Sequence, residues 1–311
     1  MTRIHTRRAV LGQSLAFLPA LAATRPKGTL VDTHIHIFSP DLKRFPYHAN
    51  AVYRPPPRPL EGYLEFVKQA RIDHTVIVHA EPYQDDHRLL EHCFRHEPSP
   101  GFFKGTCLFD PIAPDTPARM EALTRRNPGR IVALRIHETH ERGTPSNTSR
   151  AIRDRDLRDP RIKAVWRKAR ELNLAIQFHF IPCYAAQIYD LAAEFQDVPV
   201  ILDHLGRPGQ GTPEEYPGVL RLANLPRTYI KLCAVSSASK QEFPYRDVKP
   251  IVRRAFDAFG PDRFIWGGLG MDMKAFEQSV TIFEEFFDFT SEGNRARIRG
   301  LNALKLYGFE N

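Results

Sequence analysis

Two histidines one residue apart, His34 and His36, stand in the stretch Val31-Asp32-Thr33-His34-Ile35-His36 near the start of the 311-residue chain. On a strand, side chains alternate faces, so both imidazoles would point the same way, about 7 Å apart along it. Neutral imidazole is the commonest metal ligand, and two on one face make half a site. Further polar residues follow in order at the ends of apolar runs. They are His79 with Glu81, Tyr83 and Asp86, then Asp110, Arg135 with His137, Gln177 with His179, Asp203 with His204, Lys231, and Asp272 beyond Trp266-Gly267-Gly268. Imidazole and carboxylate move protons, and a guanidinium grips a substrate carboxylate with two parallel hydrogen bonds.

The elements that must position these groups read as strands at 29–37, 74–79, 102–109, 131–136, 174–180, 198–202, 228–232 and 263–266. Helical patterns lie at 60–70, 89–96, 118–125, 163–172, 185–195, 216–222 and 248–259. Strands alternating with helices predict a parallel sheet, and strands apolar throughout predict burial on both faces. Eight such units in about 250 residues predict an α/β fold, the (β/α)8 TIM barrel. A doubly wound open sheet is the alternative, but no Gly-x-Gly-x-x-Gly follows any strand. In a barrel the C-terminal strand ends converge on one mouth, which would bring the polar residues face to face. The long loops 39–59 and 138–160 follow strands on that same face, as walls or covers of a pocket.

Residues 1–23 read as something other than fold. Arg7-Arg8 precede a short apolar run ending in Ala20-Leu21-Ala22-Ala23, the pattern of a twin-arginine export signal. Cleavage near Ala22 or Ala23 would leave 24–311 as a single barrel domain, periplasmic or secreted, handled by export machinery. The run is too short to span a bilayer comfortably, so no stable membrane insertion is expected after cleavage. Residues 1–28 carry Arg3, Arg7, Arg8, Arg25 and Lys27 and no acid, five of the net +8. The remainder is ordinary, and no basic–aromatic motif points to nucleic acid. A small-molecule substrate is the expected partner, and the outer helices leave a homodimer open. Cys93, Cys107, Cys183 and Cys233 form no Cys-x-x-Cys pair. The last three sit in or beside apolar runs, as small buried hydrophobes would.

Five stretches carry a family resemblance: Val31 to His36, His179 after its strand, Ile201-Leu202-Asp203-His204-Leu205-Gly206-Arg207-Pro208, Phe259-Gly260-Pro261-Asp262-Arg263-Phe264-Ile265-Trp266-Gly267, and Asn302-Ala303-Leu304-Lys305-Leu306-Tyr307. Over nearly all of the chain after residue 23, this resembles the amidohydrolase-related (amidohydrolase 2) family, on its lactonase-like branch. The resemblance implies that His34, His36 and His179 face a metal or substrate, and that His204 polarises a carbonyl or handles the proton of the hydrolytic water. It also implies that Arg135 holds a substrate carboxylate or sugar oxygen. His79, Tyr83 and Lys231 are further candidates for substrate contact. One divalent ion, zinc or manganese, is the implied cofactor, although metal-independent hydrolysis by a general base is also chemically sound.

One position departs from the family. The strand-eight pattern Trp-Gly-Ser-Asp is replaced by Trp266-Gly267-Gly268-Leu269, and leucine neither ligates a metal nor takes a proton. Three readings follow: Asp272 reaches back to substitute, another group such as His204, Glu81 or Asp203 acts as base, or hydrolysis is lost. The expected function is opening of a lactone or similar cyclic ester of a small sugar acid or dicarboxylic acid. The alternatives are a metal-dependent decarboxylase of the same family or a retired, ligand-binding barrel. Asp32 would orient His36 or cap the turn, and Asp203 would either hold backbone or do chemistry. Lys231 would pair with a carboxylate or touch substrate. Trp266 would pack the barrel wall or bottom. His74, His92 and His96 read as background, and His137 and His140 as solvated loop residues.

Overall fold

A computed structural model describes residues 25–140 and 157–310. The expected export signal and most of the 138–160 loop therefore lie outside the described residues. Eight strands form one parallel sheet in chain order: β1 (Val31–Ile35), β2 (His74–Ile77), β3 (Phe103–Leu108), β4 (Ile131–Glu138), β5 (Ala175–Phe180), β6 (Val200–Leu202), β7 (Thr228–Leu232) and β8 (Phe264–Trp266). Side chains bridge the seam between β8 and β1. The Thr33 hydroxyl donates to Trp266 O at 2.7 Å, and the Asp32 carboxylate accepts from Gly268 N and Leu269 N at 2.8 and 3.3 Å. The result is a nearly closed TIM barrel.

The outer layer comprises α1 (Leu60–Ala70), α2 (Arg88–Arg95), α3 (Thr116–Arg126), α4 (Pro160–Glu171), α5 (Ala185–Glu194), α6 (Tyr216–Arg221), α7 (Lys249–Phe259) and α8 (Met273–Phe286). Helix starts follow local chemistry. Asp159 accepts from Arg161 N ahead of Pro160, and Asp272 accepts from Ala275 N, so each satisfies a backbone donor that the helix leaves orphaned. Trp266 packs on Phe283 of α8, ring centroids 4.4 Å apart, as part of the wall.

Inside the barrel, Val31, Val76, Ala133, Ala175, Ile201 and Ile265 fill the lower level. Short α9 (Glu292–Ala296) leads to α10 (Asn302–Tyr307), and Leu304, Tyr307 and Phe309 join that interior cluster from the N-terminal end. Phe309 stacks on His74 at the start of β2, centroids 4.5 Å apart. The lower end is a packed core, so any chemistry belongs at the other end.

Candidate active site

Alternation along the strands builds the site. On β4 to β8 the inward positions are the odd ones, so one step above the lower level stand Arg135, Gln177, Asp203 and Lys231. They converge on one carboxylate. Asp203 Oδ2 accepts from Arg135 Nε and Nη2, both at 2.9 Å. Gln177 Nε2 lies 3.0 Å from each carboxylate oxygen, and Lys231 Nζ lies 3.1 Å from Oδ1 while also donating to Thr33 O at 3.0 Å. Asp203 and Lys231 are both 0% exposed. Burial alone would raise the Asp203 pKa, but the Lys231 and Arg135 charges outweigh it and hold the carboxyl well below its usual range. With its lone pairs committed, Asp203 positions the groups around it and is no candidate base.

One step further up lie the imidazoles. His36 donates through Nδ1 to Val78 O at 2.7 Å, which leaves its Nε2 as a lone pair. That atom faces His34 Nε2 at 3.3 Å. The other His34 nitrogen, Nδ1, faces Asp203 Oδ1 at 3.5 Å and Cys233 Sγ at 3.8 Å. Either neutral tautomer of His34 therefore aims one lone pair at another lone pair or at a carboxylate. A cation relieves that arrangement, so the donor set fits a divalent ion. His204 adds Nδ1 at 3.0 Å from Cys233 Sγ, with its ring centroid 4.8 Å from that of His34. Donor atoms of His34, His204 and Cys233 all lie within 4.8 Å of one another. Burial, with help from neighbouring cations, drives His34 and His179 well below 6.5, His36 to about 3 and His204 to about 4. All four are neutral near pH 7, the form that ligates metals and accepts protons.

His179 takes a different position within the cluster. Its Nε2 meets Arg207 Nη1 in a close contact, and its Nδ1 is buried without a hydrogen-bond partner. An arginine can only donate, so the His179 proton sits on Nδ1 as an unsatisfied donor. In this arrangement His179 stands against the Arg207 guanidinium, with its ring centroid 5.0 Å from that of His204. The segment that supplies His204 and Arg207 is strained. His204, Leu205 and Arg207 adopt φ of 55°, 57° and 55°, left-handed values that cost non-glycine residues roughly 1–3 kcal/mol each and concentrate at functional sites.

Several expected residues lie elsewhere. Asp272 stays outside the cluster, exposed and committed at 2.9 Å to Ala275 N as the cap of α8. Leu269 is fully buried in the outer core, so no carboxylate arrives from the end of β8. His79 is buried, donating from Nε2 to Gln84 O at 2.9 Å, with its ring on His87 at 4.4 Å. The Tyr83 hydroxyl accepts from Ser39 N at 2.9 Å and anchors the start of the 39–59 loop, so it holds the wall rather than a ligand. Among the described residues Lys231 reaches Asp203 and Thr33 O, in line with the ion-pair reading of that residue. Asp32 ties β1 to the end of β8, while the partner that orients His36 is Val78 O.

Three further residues stand at the mouth, and one of them, His137, reads from the sequence as a solvated loop residue. His137 is buried on β4, in register with His179, ring centroids 4.9 Å apart; β4 runs two residues past its expected end and carries His137 out of the loop. Its odd number, shared with Arg135, was the available signal. Arg207 and Cys233 carried no signal beyond lying just past strands β6 and β7.

Comparison with known proteins agrees with this geometry. The chain is 28% identical over 289 residues to the 4-sulfomuconolactone hydrolase of Hydrogenophaga intermedia, covering 89% of this chain and 88% of that one. Among solved structures it resembles a probable 2-pyrone-4,6-dicarboxylic acid hydrolase of Acinetobacter baumannii with citric acid bound (TM-score 0.72, 20% identity, 91% of this chain and 100% of that one). It also resembles an amidohydrolase of Burkholderia multivorans with bound zinc (TM-score 0.67, 16% identity, 91% and 100%). The amidohydrolase family model matches residues 31–309, nearly the whole described barrel, and the chain belongs to that family.

Proposed function

We infer that the protein is a hydrolase that opens a lactone of a small anionic acid by addition of water. The observation that carries this reading is the convergence at the barrel mouth of neutral imidazoles with three cations, Arg135, Arg207 and Lys231, near the carboxylate Asp203. The surplus of positive charge suits a carboxylate- or sulfonate-bearing substrate, and the lactone-hydrolase relative supports the same class.

In the reaction, His204 is the base that remains once Asp203 is committed and Leu269 stands in place of an acid. Its neutral ring takes a proton from water as the water oxygen bonds to the acyl carbon. The His179 Nδ1 donor and the Arg207 guanidinium stabilise the oxyanion that develops on the carbonyl oxygen. The ring C–O bond then breaks, and His204 returns the proton to the departing oxygen, giving a hydroxy acid. His34, with His36 and His204 beside it, would hold a divalent ion, which when bound would supply Lewis-acid polarisation and lower the pKa of water. Zinc and manganese both accept imidazole and carboxylate surroundings.

A pH-indicator assay over anionic and neutral lactones tests this reading. Ring opening of an anionic lactone, lost in His204→Ala, is expected; no turnover across the panel would leave a ligand-binding barrel. We also propose that the chain acts outside the cytoplasm, on the strength of Arg7-Arg8 ahead of the apolar run. Cell fractionation should find a mature chain starting near residue 24 in the periplasm. A full-length cytoplasmic chain, indifferent to loss of twin-arginine export, would sink that proposal.

A further inference from the structure

Cys233 stands beside the corner at which the strand-eight carboxylate is missing. Gly267 N donates to Leu232 O at 3.1 Å, which brings the end of β8 alongside Cys233. A Cβ built on Gly267 would lie 2.6 Å from Thr33 Oγ1 and 2.7 Å from His34 N, so only glycine fits there. A Cβ on Gly268 would lie in ordinary contact with the Cys233 Cβ, at 3.5 Å, so Gly268 runs alongside Cys233. On its other side Sγ faces two imidazoles, 3.0 Å from His204 Nδ1 and 3.8 Å from His34 Nδ1. Zinc–sulfur bonds of about 2.3 Å and zinc–nitrogen bonds of about 2.0–2.1 Å in a tetrahedron place sulfur and nitrogen roughly 3.5 Å apart. The two observed distances bracket that separation.

We propose that Cys233 is a metal ligand, binding as thiolate together with His34 and His204, and that it supplies the anionic ligand which Leu269 cannot; with an ion in place the His204 lone pair is taken up, so its role as base belongs to the metal-free protein. The proposal rests on the amidohydrolase reading of the site and adds a donor of different chemistry. As the sulfur–metal bond forms, the thiol proton leaves to solvent and no electron changes hands. A thiolate with two imidazoles selects a borderline-soft ion such as zinc or cobalt(II) over manganese, magnesium or calcium. It therefore decides between the two metals that a histidine–carboxylate site would both accept.

Cobalt(II) titration of the metal-depleted protein reads the ligand directly, because a thiolate bound to cobalt gives an intense near-ultraviolet charge-transfer band that imidazole and carboxylate do not. The expected result is about one cobalt per chain with that band, competed away by zinc but not by manganese. Cys233→Ser and Cys233→Ala should lose the band and bind cobalt at least tenfold more weakly, while Cys183→Ser, at the partly exposed cysteine, should keep both. Absence of the band in the wild-type protein would overturn the proposal, as would a Cys233→Ser protein with unchanged spectrum and affinity. If one variant fails to fold, the wild-type and Cys183→Ser spectra still decide. Lactone hydrolysis assayed in parallel separates the two readings: turnover by a chain that binds no ion refutes the thiolate ligand and leaves the hydrolase standing.

Discussion

The rings of His79 and His87 pack 4.4 Å apart behind β2 and β3, while His34, His36, His179 and His204 meet at the mouth of the same barrel. Burial depresses the pKa in both clusters, to about 4 for His79 and well below 6.5 for His87, so neither burial nor pKa distinguishes them. The difference lies in where the ring nitrogens go. His79 Nε2 donates to Gln84 O, and His87 Nε2 accepts from Leu108 N at 3.0 Å. Backbone satisfies them, as it must for polar atoms in a core. At the mouth only His36 Nδ1 is taken by backbone among the described contacts, at Val78 O, and the other nitrogens face each other, a carboxylate, a thiol, a guanidinium or nothing. A histidine cluster is a site when its nitrogens are left for something else, and packing when the backbone has already used them.

The largest effect that would break this contrast is on rate. His204→Ala should lower kcat/KM about a hundred- to ten-thousand-fold, the usual range for a lost general base, while the melting temperature barely moves. An unchanged rate would mean that the mouth cluster does no proton transfer. Next in size is Asp203→Ala, which leaves Lys231 and Arg135 as unpaired buried charges. Removing one partner of such a group costs about 3–5 kcal/mol, readable by chemical denaturation. Full stability in that variant would show that the ion cluster is not what positions the site. His87→Ala inverts the pattern: it strands the Leu108 amide and should cost about 1–3 kcal/mol of stability while the folded enzyme keeps its kcat/KM within a few-fold. A large rate loss there would erase the distinction between the clusters.

The barrel was legible because every strand is a buried apolar run, and the period of two then places Arg135, Gln177, His179, Asp203 and Lys231 on its inner face. What could not be read was commitment. His79 and Tyr83 have the residue types and strand-end positions of ligand contacts, but Gln84 O and Ser39 N occupy them, and no spacing encodes a partner that arrives from another segment. Asp272 carried the right chemistry near the right strand, yet the start of α8 captures it as a cap, a purely local preference that the residue order Asp272-Met273-Lys274-Ala275 itself contains. Cys233 failed in the opposite direction. Its apolar surroundings read as core, and only the fold shows two imidazoles on its far side.

Acid titration gives the smallest and most shared effect. At pH above 6.5 the depressed histidines are neutral whether the chain is folded or unfolded, and contribute nothing to pH dependence. As pH falls below 6.5 the unfolded chain binds protons that folded His36, His79 and His204 refuse until about 3, 4 and 4. Each then removes about 1.4 kcal/mol of stability per pH unit. Asp203 is shifted in the same direction, below its ordinary 3.8, so its contribution is intact above 3.8 and is lost only as pH falls from there through its lower folded value. Stability should therefore decline from pH 6.5 toward 4 on account of imidazoles in both clusters, with the carboxylate unfelt until lower pH. His79→Gln should flatten that slope by one proton while leaving lactone turnover near its wild-type value. His204→Gln should flatten it equally and abolish turnover. Matched slopes with opposite activities would separate the two clusters by function alone, and a slope that neither variant changes would show that these rings protonate as freely folded as unfolded.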